Sequence, residues 1–281
     1  MAENQLILIA DDFGLSSGIN KAILELLALQ RLSGTSVMTN MPHFSEGALA
    51  LKAFHAQADI GLHLTLTLGK PIGAMPRLAP NGELPELSAV MKSAVLGRLD
   101  RREIAREIEA QIGRFQDELG FIPDYIDGHQ HVHILPIVRA ALFDAVQAFP
   151  NFRPWIRIPS DNAIAILQRG VSVQKSLILS VLSLGFQHQC RAHGLKTNES
   201  FSGASEFDAN DNYSAAFQSY LRAPRSNHLV MCHPGYVAAN ETLIDSVKET
   251  RPIELEFLKS EEFAAILSAR RFEISRFNKK N

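Results

Sequence analysis

With 281 residues and 46% hydrophobic side chains, the chain can bury a large core, and its length suits one barrel-sized domain at least as well as two smaller ones. Twenty-eight Lys and Arg against 30 Asp and Glu give a formal net charge of −2, without the basic excess that a nucleic-acid or anionic-membrane partner would need. The two cysteines, Cys190 and Cys232, lie far apart without CxxC spacing, which argues against a disulfide framework and fits a reducing compartment.

The first five residues carry no basic cluster, and the apolar run Leu6–Ala10 ends at two aspartates, so no signal peptide is read here. Ser176 to Phe186 is the longest strongly apolar window, well short of the roughly 20 residues a membrane span needs. It is expected to be a buried helix or a homodimer contact, and cytoplasmic residence is the default expectation.

Taken in order, Leu6-Ile7-Leu8-Ile9-Ala10 has the continuous apolar pattern of a strand covered on both faces, and it stops at Asp11-Asp12-Phe13-Gly14. Ser16-Ser17-Gly18 can cap a helix in which Ile19, Ile23, Leu26 and Leu27 recur at helical spacing. A second strand is expected over Thr35–Asn40, followed by a helix from about Ser45 to Ala56. Asp59–Leu66 alternates, with Leu62, Leu64 and Leu66 on one face and Gly61, His63 and Thr65 on the other.

Residues 69–99, rich in Pro, Gly and Met, read as a long irregular excursion of the kind used as a lid or binding loop. Asp100 opens an amphipathic helix with the stripe Ile104, Ile108, Ile112, Phe115 and Leu119, ending at Gly120. The charged residues between those positions are most simply a solvated face. Ile122–Ile126 leads into Asp127-Gly128-His129-Gln130-His131-Val132-His133, and Pro136 suits the first turn of a helix to about Phe149. If the histidine run is extended, His129, His131 and His133 share one face, which is metal-site geometry.

FRPWIRIP at 152–159 can hold a short strand, and 160–212 is a second excursion, legible only in its apolar helix at 174–186. Asn212–Leu221 is expected to be helical. His228–Cys232 is a buried-type strand closed by His233-Pro234-Gly235, and a helix near Ile253–Arg270 precedes a last strand over Phe272–Phe277.

Four apolar strands thus end in or carry ionisable residues: Asp11 and Asp12, His63, the His129 cluster, and His233. In a parallel barrel the C-terminal strand ends converge on one rim, so these residues would meet in space. Each alone has a structural explanation as a cap, a turn or a satisfied core histidine; their joint recurrence is harder to explain that way. An Asp with two His ligands leaves coordination positions for water and substrate, and a neighbouring carboxylate and an opposing imidazole could move protons. Cys232 adjoins His233 but should point to the opposite face, and no GxSxG elbow, Walker lysine motif or GxGxxG is present.

Together, Ala10-Asp11-Asp12-Phe13-Gly14, Gly61-Leu62-His63-Leu64, Asp127-Gly128-His129-Gln130-His131-Val132-His133 and His233-Pro234-Gly235 resemble the YdjC-like carbohydrate deacetylases, which include chito-oligosaccharide deacetylases. The resemblance spans residues 10 to 236. It implies an α/β fold of one irregular, TIM-barrel-like (β/α) barrel over residues 1–281, and removal of acetyl groups from N-acetylated amino sugars. It also implies one divalent metal ion, Zn²⁺ or Mg²⁺, with Asp12, His63 and His129 as ligands, Asp11 as general base and His233 as general acid. His131 is placed beside the substrate or just behind the metal ligands, and Arg157 is expected to hold the sugar or orient a carboxylate. Gly128 stands where relatives often carry Ser or Ala.

Two other readings stay open on the residues: a metallohydrolase of a phosphoester or non-sugar amide, and a catalytically silent sugar-binding or regulatory protein. The expected partner is a small carbohydrate.

Overall fold

The computed structural model describes residues 4–237 and 247–277. Its centre is one sheet, built among the described residues from β1 (Asn4–Phe13), β2 (Gly34–Val37), β3 (Asp59–Leu64), β4 (Tyr125–Gly128), β5 (Trp155–Ile156), β6 (Ser200–Ser202), β7 (His228–Cys232) and β8 (Phe272–Ile274). Every pairing is parallel; the neighbours run β5-β4-β3-β2-β1-β7-β6, with β8 joined to the start of β1. Helices clothe the outside. α1 (Ser17–Ala28) and α2 (Phe44–Lys52) follow β1 and β2, α3 (Leu87–Val95) and α4 (Arg101–Leu119) follow β3, and α5 (Pro136–Ala148) follows β4. α6 (Ala163–Arg169), α7 (Val173–Leu182) and α8 (Phe186–Ala192) separate β5 from β6, α9 (Tyr213–Tyr220) precedes β7, and α10 (Arg251–Lys259) and α11 (Glu261–Arg270) precede β8.

The alternation of β1 shows how the sheet divides its side chains. Leu6, Leu8 and Ala10 pack outward with Ile19, Ile23 and Leu26 of α1, whereas Ile7 and Ile9 point inward to Leu229, Met231, Tyr125 and Trp155. Burying both faces supplies the apolar contact that a run of Leu and Ile demands, at about 1.5–3 kcal/mol for each fully buried side chain. The sheet curls into a half-barrel whose edges approach each other through a single parallel bridge, Ile156 to Thr197. Asn198 reinforces that seam: its Oδ1 accepts the Ile158 N–H at 2.7 Å and its Nδ2 donates to the Ile158 carbonyl at 2.9 Å.

Local signals set several boundaries as expected. Ser16 Oγ accepts the Ile19 N–H at the start of α1, Asp100 caps α4, Gly120 closes it in the left-handed region at φ 79°, and Pro136 begins α5. Elsewhere the chain departs from expectation. The histidine run is not extended: His129–Ile134 forms a 3-10 turn in which Gln130 and His131 have φ of 51° and 58°.

The 69–99 and 160–212 excursions hold α3 and α6 to α8 with β6, respectively. The expected helix at 253–270 is two, because Ser260 breaks the backbone at ψ 158° and caps α11 through the Phe263 N–H. No side chain of α7 is buried, so the 176–186 window is not a core helix; Ile178 and Val181 are exposed. No helix among the described residues is long and apolar enough to cross a membrane.

The polar side of α4 is also not simply a solvated face. Glu103, Glu107 and Gln111 are buried. Glu107 accepts the N–H groups of Ile72 and Gly73, Glu103 those of Arg77 and Leu78, and Gln111 bonds both backbone groups of Thr65. These side chains pin the 72–78 loop to the body by satisfying backbone donors that would otherwise be buried without partners.

Candidate active site

Asp11 continues the inward parity of Ile7 and Ile9, so a regular strand would send Asp12 outward. The ladder to β2 slips here: Ala10 pairs with Thr35 but Phe13 with Val37, leaving one extra residue on β1. Asp12 takes up the excess with φ 73°, a left-handed conformation that costs energy in any residue but glycine. This bulge turns both carboxylates toward the mouth of the half-barrel. β3 delivers His63 and β4 delivers Asp127 and then His129, all on the inward parity. His233 directly follows β7, and its inward direction leaves Cys232 facing out, its Sγ 3.4 Å from the Ile9 carbonyl.

Asp12 Oδ1 lies 3.4 Å from His63 Nε2 and 3.2 Å from His129 Nδ1. The other polar atoms of two of these residues are already committed. Asp12 Oδ2 accepts from Arg251 Nη2 at 2.6 Å, and His63 Nδ1 donates to Asp127 Oδ1 at 2.7 Å. What converges is therefore one carboxylate oxygen and two imidazole nitrogens, a donor set that suits a divalent cation with coordination positions left over. Asp11, His63 and Asp127 also cluster, but both oxygens of Asp11 are bonded to Arg157 and those of Asp127 to His63, Ser36 and Arg157. That second set has no free donors to offer beyond those of the first.

Arg157 is fully buried and does not border the cavity, which corrects the expectation that it contacts the sugar. Its Nη1 and Nη2 each donate to Asp11 at 2.7 Å, and Nη2 also reaches Asp127 Oδ2 at 2.6 Å. Its guanidinium is taken up by these carboxylates, as the other expectation for it requires. Ser36 donates to Asp127 Oδ2 at 2.6 Å and sits 2.8 Å from the Tyr125 hydroxyl. Tyr125 can lie there because Gly61 opposite has no side chain; a Cβ would stand 2.4 Å from its ring.

The three histidines of the motif go to three places. His129 faces Asp12, His131 borders the cavity, and His133 is buried behind them with its Nε2 donating to the Arg157 carbonyl at 2.8 Å. His233 Nε2 stands 3.9 Å from Asp11 Oδ2, while its backbone N–H donates to the buried Glu254 at 2.7 Å. Sequence reasoning assigned no role to Asp127, Ser36, Arg251 and Glu254. Asp127 lies inside the quoted motif, whereas Ser36, Arg251 and Glu254 carry no local signal and become visible only through their partners.

Charge is closely matched. Burial works against ionisation of Asp11, but Arg157 and His63 beside it hold its carboxyl well below the usual range. Asp12 is likewise held well below that range, burial being outweighed by Arg251 and by hydrogen bonds from His129 and His63. Burial pulls His63 down, yet Asp127 and Asp11 overcome it and raise the imidazole to about 10. The carboxylates thus call for positive charge at the donor cluster, in keeping with a cation there. Burial, together with His133 and Arg157, pushes His131 well below 6.5, and burial outweighs Asp127 to bring His133 to about 4.

The cluster opens into a cavity of about 810 Å³. Its floor is Asp11, Asp12, His63, His129 and His233; Leu87 and Met91 of α3 stand on its wall, as do Lys175 and Leu179 of α7, with Phe207 also bordering it. Both sequence excursions thus contribute walls.

A parallel α/β half-barrel with an Asp and His cluster at its strand ends defines the general class. A family model described as YdjC-like protein matches residues 5–269, and the chain belongs to that family. It is 31% identical to the chitooligosaccharide deacetylase of Yersinia pestis (strain Pestoides F), over 98% of each chain. The same identity and coverage hold for the chitooligosaccharide deacetylase of Yersinia pseudotuberculosis serotype O:1b (strain IP 31758). Among solved structures, an Enterococcus faecalis V583 protein provisionally named for cellobiose-phosphate cleavage shares the fold, with TM-score 0.70, 21% identity and 98% of each chain covered.

Proposed function

We propose that this protein is a metal-dependent carbohydrate N-deacetylase, a single catalytic (β/α)-barrel domain that removes acetyl groups from N-acetylated amino sugars such as chito-oligosaccharides. The observation that carries the reading is the convergence of Asp12, His63 and His129 on one point, with Asp11 and His233 beside it, in a chain whose curated relatives are named chitooligosaccharide deacetylases.

Asp12, His63 and His129 would hold the divalent cation, Zn²⁺ or Mg²⁺. When bound it would polarise the acetamide carbonyl and acidify the attacking water. Asp11 accepts the water proton. The bidentate clasp of Arg157 fixes its two oxygens and keeps it ionised, at some cost in basicity, so position rather than proton affinity is its main asset. His233, beside Asp11 and partly open to the cavity, donates a proton to the departing sugar amine through its imidazole. Leu87, Met91, Leu179 and Phe207 exclude water and offer apolar surface to the C–H faces of a sugar.

The test is acetate release from N-acetylglucosamine oligomers by the metal-loaded protein, with phosphate release from phosphoesters scored in parallel. Asp11→Asn is expected to lower kcat by about 10²–10⁴. Wild-type turnover by that variant would refute the base assignment, and phosphate without acetate would move the protein to another class of metallohydrolase.

A further inference from the structure

Among the described residues, Asp12, Gln130, His131 and Phe207 have positive φ and border the cavity. The first three belong to the motifs that build the donor cluster. Phe207 does not, and a bulky aromatic residue at φ 57° is the least expected of the four. Three contacts hold it there. Its N–H donates to Ser205 Oγ at 3.1 Å. Lys175 of α7 places its ammonium 4.7 Å from the ring centroid and donates to the Ser205 carbonyl at 2.8 Å. The ring meets the His233 imidazole edge to face, with centroids 5.2 Å apart and planes at 90°. Backbone strain of this kind clusters at binding and catalytic sites, and here it presses an aromatic ring against one imidazole.

We propose that Phe207, braced by Lys175, is a specificity-determining residue that seats the pyranose ring carrying the acetamide. The inference rests on the deacetylase reading and follows from the side of the bond on which His233 works. The proton donor faces the leaving amine, and that amine belongs to the sugar. A side chain packed on the donor therefore borders the sugar, while the acetyl methyl lies on the opposite side of the scissile bond. An aromatic wall suits the C–H surface of a pyranose, and a contact of this kind is worth about 1.4 kcal/mol, or tenfold in affinity.

Because φ 57° favours glycine, Phe207→Gly removes the ring and relieves the strain together. With di- to tetra-N-acetylglucosamine, Phe207→Gly is expected to raise KM about tenfold with a smaller change in kcat, while metal content stays at the wild-type level and Tm is unchanged or higher. Phe207→Trp should restore KM to within about threefold of wild type. Lys175→Met should raise KM a few-fold, and the double variant with Phe207→Gly should be no worse than Phe207→Gly alone, since both act through one ring.

A wild-type KM in Phe207→Gly, or a fall in Tm that accounts for its loss of activity, would show that the ring is only structural, leaving the deacetylase reading intact. Absence of acetate release by the wild-type protein would overturn that reading and this inference with it.

Discussion

Asp127 Oδ1 accepts the Nδ1 proton of His63 at 2.7 Å, and this bond decides which nitrogen of the imidazole is turned to Asp12. Asp127 is itself fixed by Ser36 and Arg157, so three polar side chains stand behind the proposed ligand His63. Asp127→Asn should weaken divalent-metal affinity by about 10–100-fold, as loss of a partner behind a ligating histidine generally does. Competition with a chelating indicator measures it; an unchanged affinity would remove Asp127 from the metal site.

On the proposed reading, the three histidines of the motif should give different phenotypes. His129→Ala should abolish stoichiometric metal binding, because only this imidazole of the three approaches Asp12. His131→Ala should keep the metal and lose activity on sugars. His133→Ala should also keep the metal, but it leaves the Arg157 carbonyl without its partner and a buried cavity, lowering stability by about 2–4 kcal/mol. Elemental analysis with denaturant melts separates the three outcomes.

Arg157 balances two buried carboxylates. Arg157→Met leaves Asp11 and Asp127 without it and should cost about 3–5 kcal/mol of stability, read as a lower denaturant midpoint. Arg157→Lys keeps the charge but not the two-pronged grip. It should recover part of the stability while kcat remains at least about tenfold down. Equal recovery of both would mean that charge alone suffices.

His228, away from the site at the start of β7, provides a pH signature for the fold. Its Nε2–H donates to the Tyr220 carbonyl at 2.9 Å, and its Nδ1 accepts from Ser200 Oγ at 2.7 Å, an arrangement for neutral imidazole. Burial, aided by Arg169, lowers its pKa to about 4. The unfolded chain takes up this proton near pH 6.5, before the folded one does. Stability is therefore complete above about pH 6.5 and declines as the pH falls toward 4, by about 3 kcal/mol from this residue. Urea melts at several pH values should show that decline, and His228→Gln should remove its share of it.

Strands with continuous or alternating apolar patterns were legible because burial on one or both faces writes itself into composition. β1, β3 and β7 illustrate this, as does the apolar stripe of the helix α4, and parity alone placed Cys232 away from His233. Two kinds of feature were not legible. The first is conformational: periodicity cannot announce that Asp12 will adopt a left-handed backbone, nor that the histidine run will coil into a 3-10 turn. The second is pairing over long separations. Arg251 reaches Asp12 across 239 positions, and Glu107 anchors a loop that a helical wheel can only show as facing a charged side. At α7 apolarity did not mean burial: none of its side chains is buried, and Lys175 and Leu179 border the cavity.

The slip between Ala10 and Phe13 has a consequence for how this chain can vary. Substitutions among aliphatic residues in β1 would leave the inward and outward assignments unchanged, but deleting one of the two residues at the slip would restore an even ladder and leave the site with a single inward carboxylate. The strand should be permissive in identity and intolerant in length. Scanning single-residue deletions through 6–13 should therefore find its sharpest loss of activity at the two aspartates.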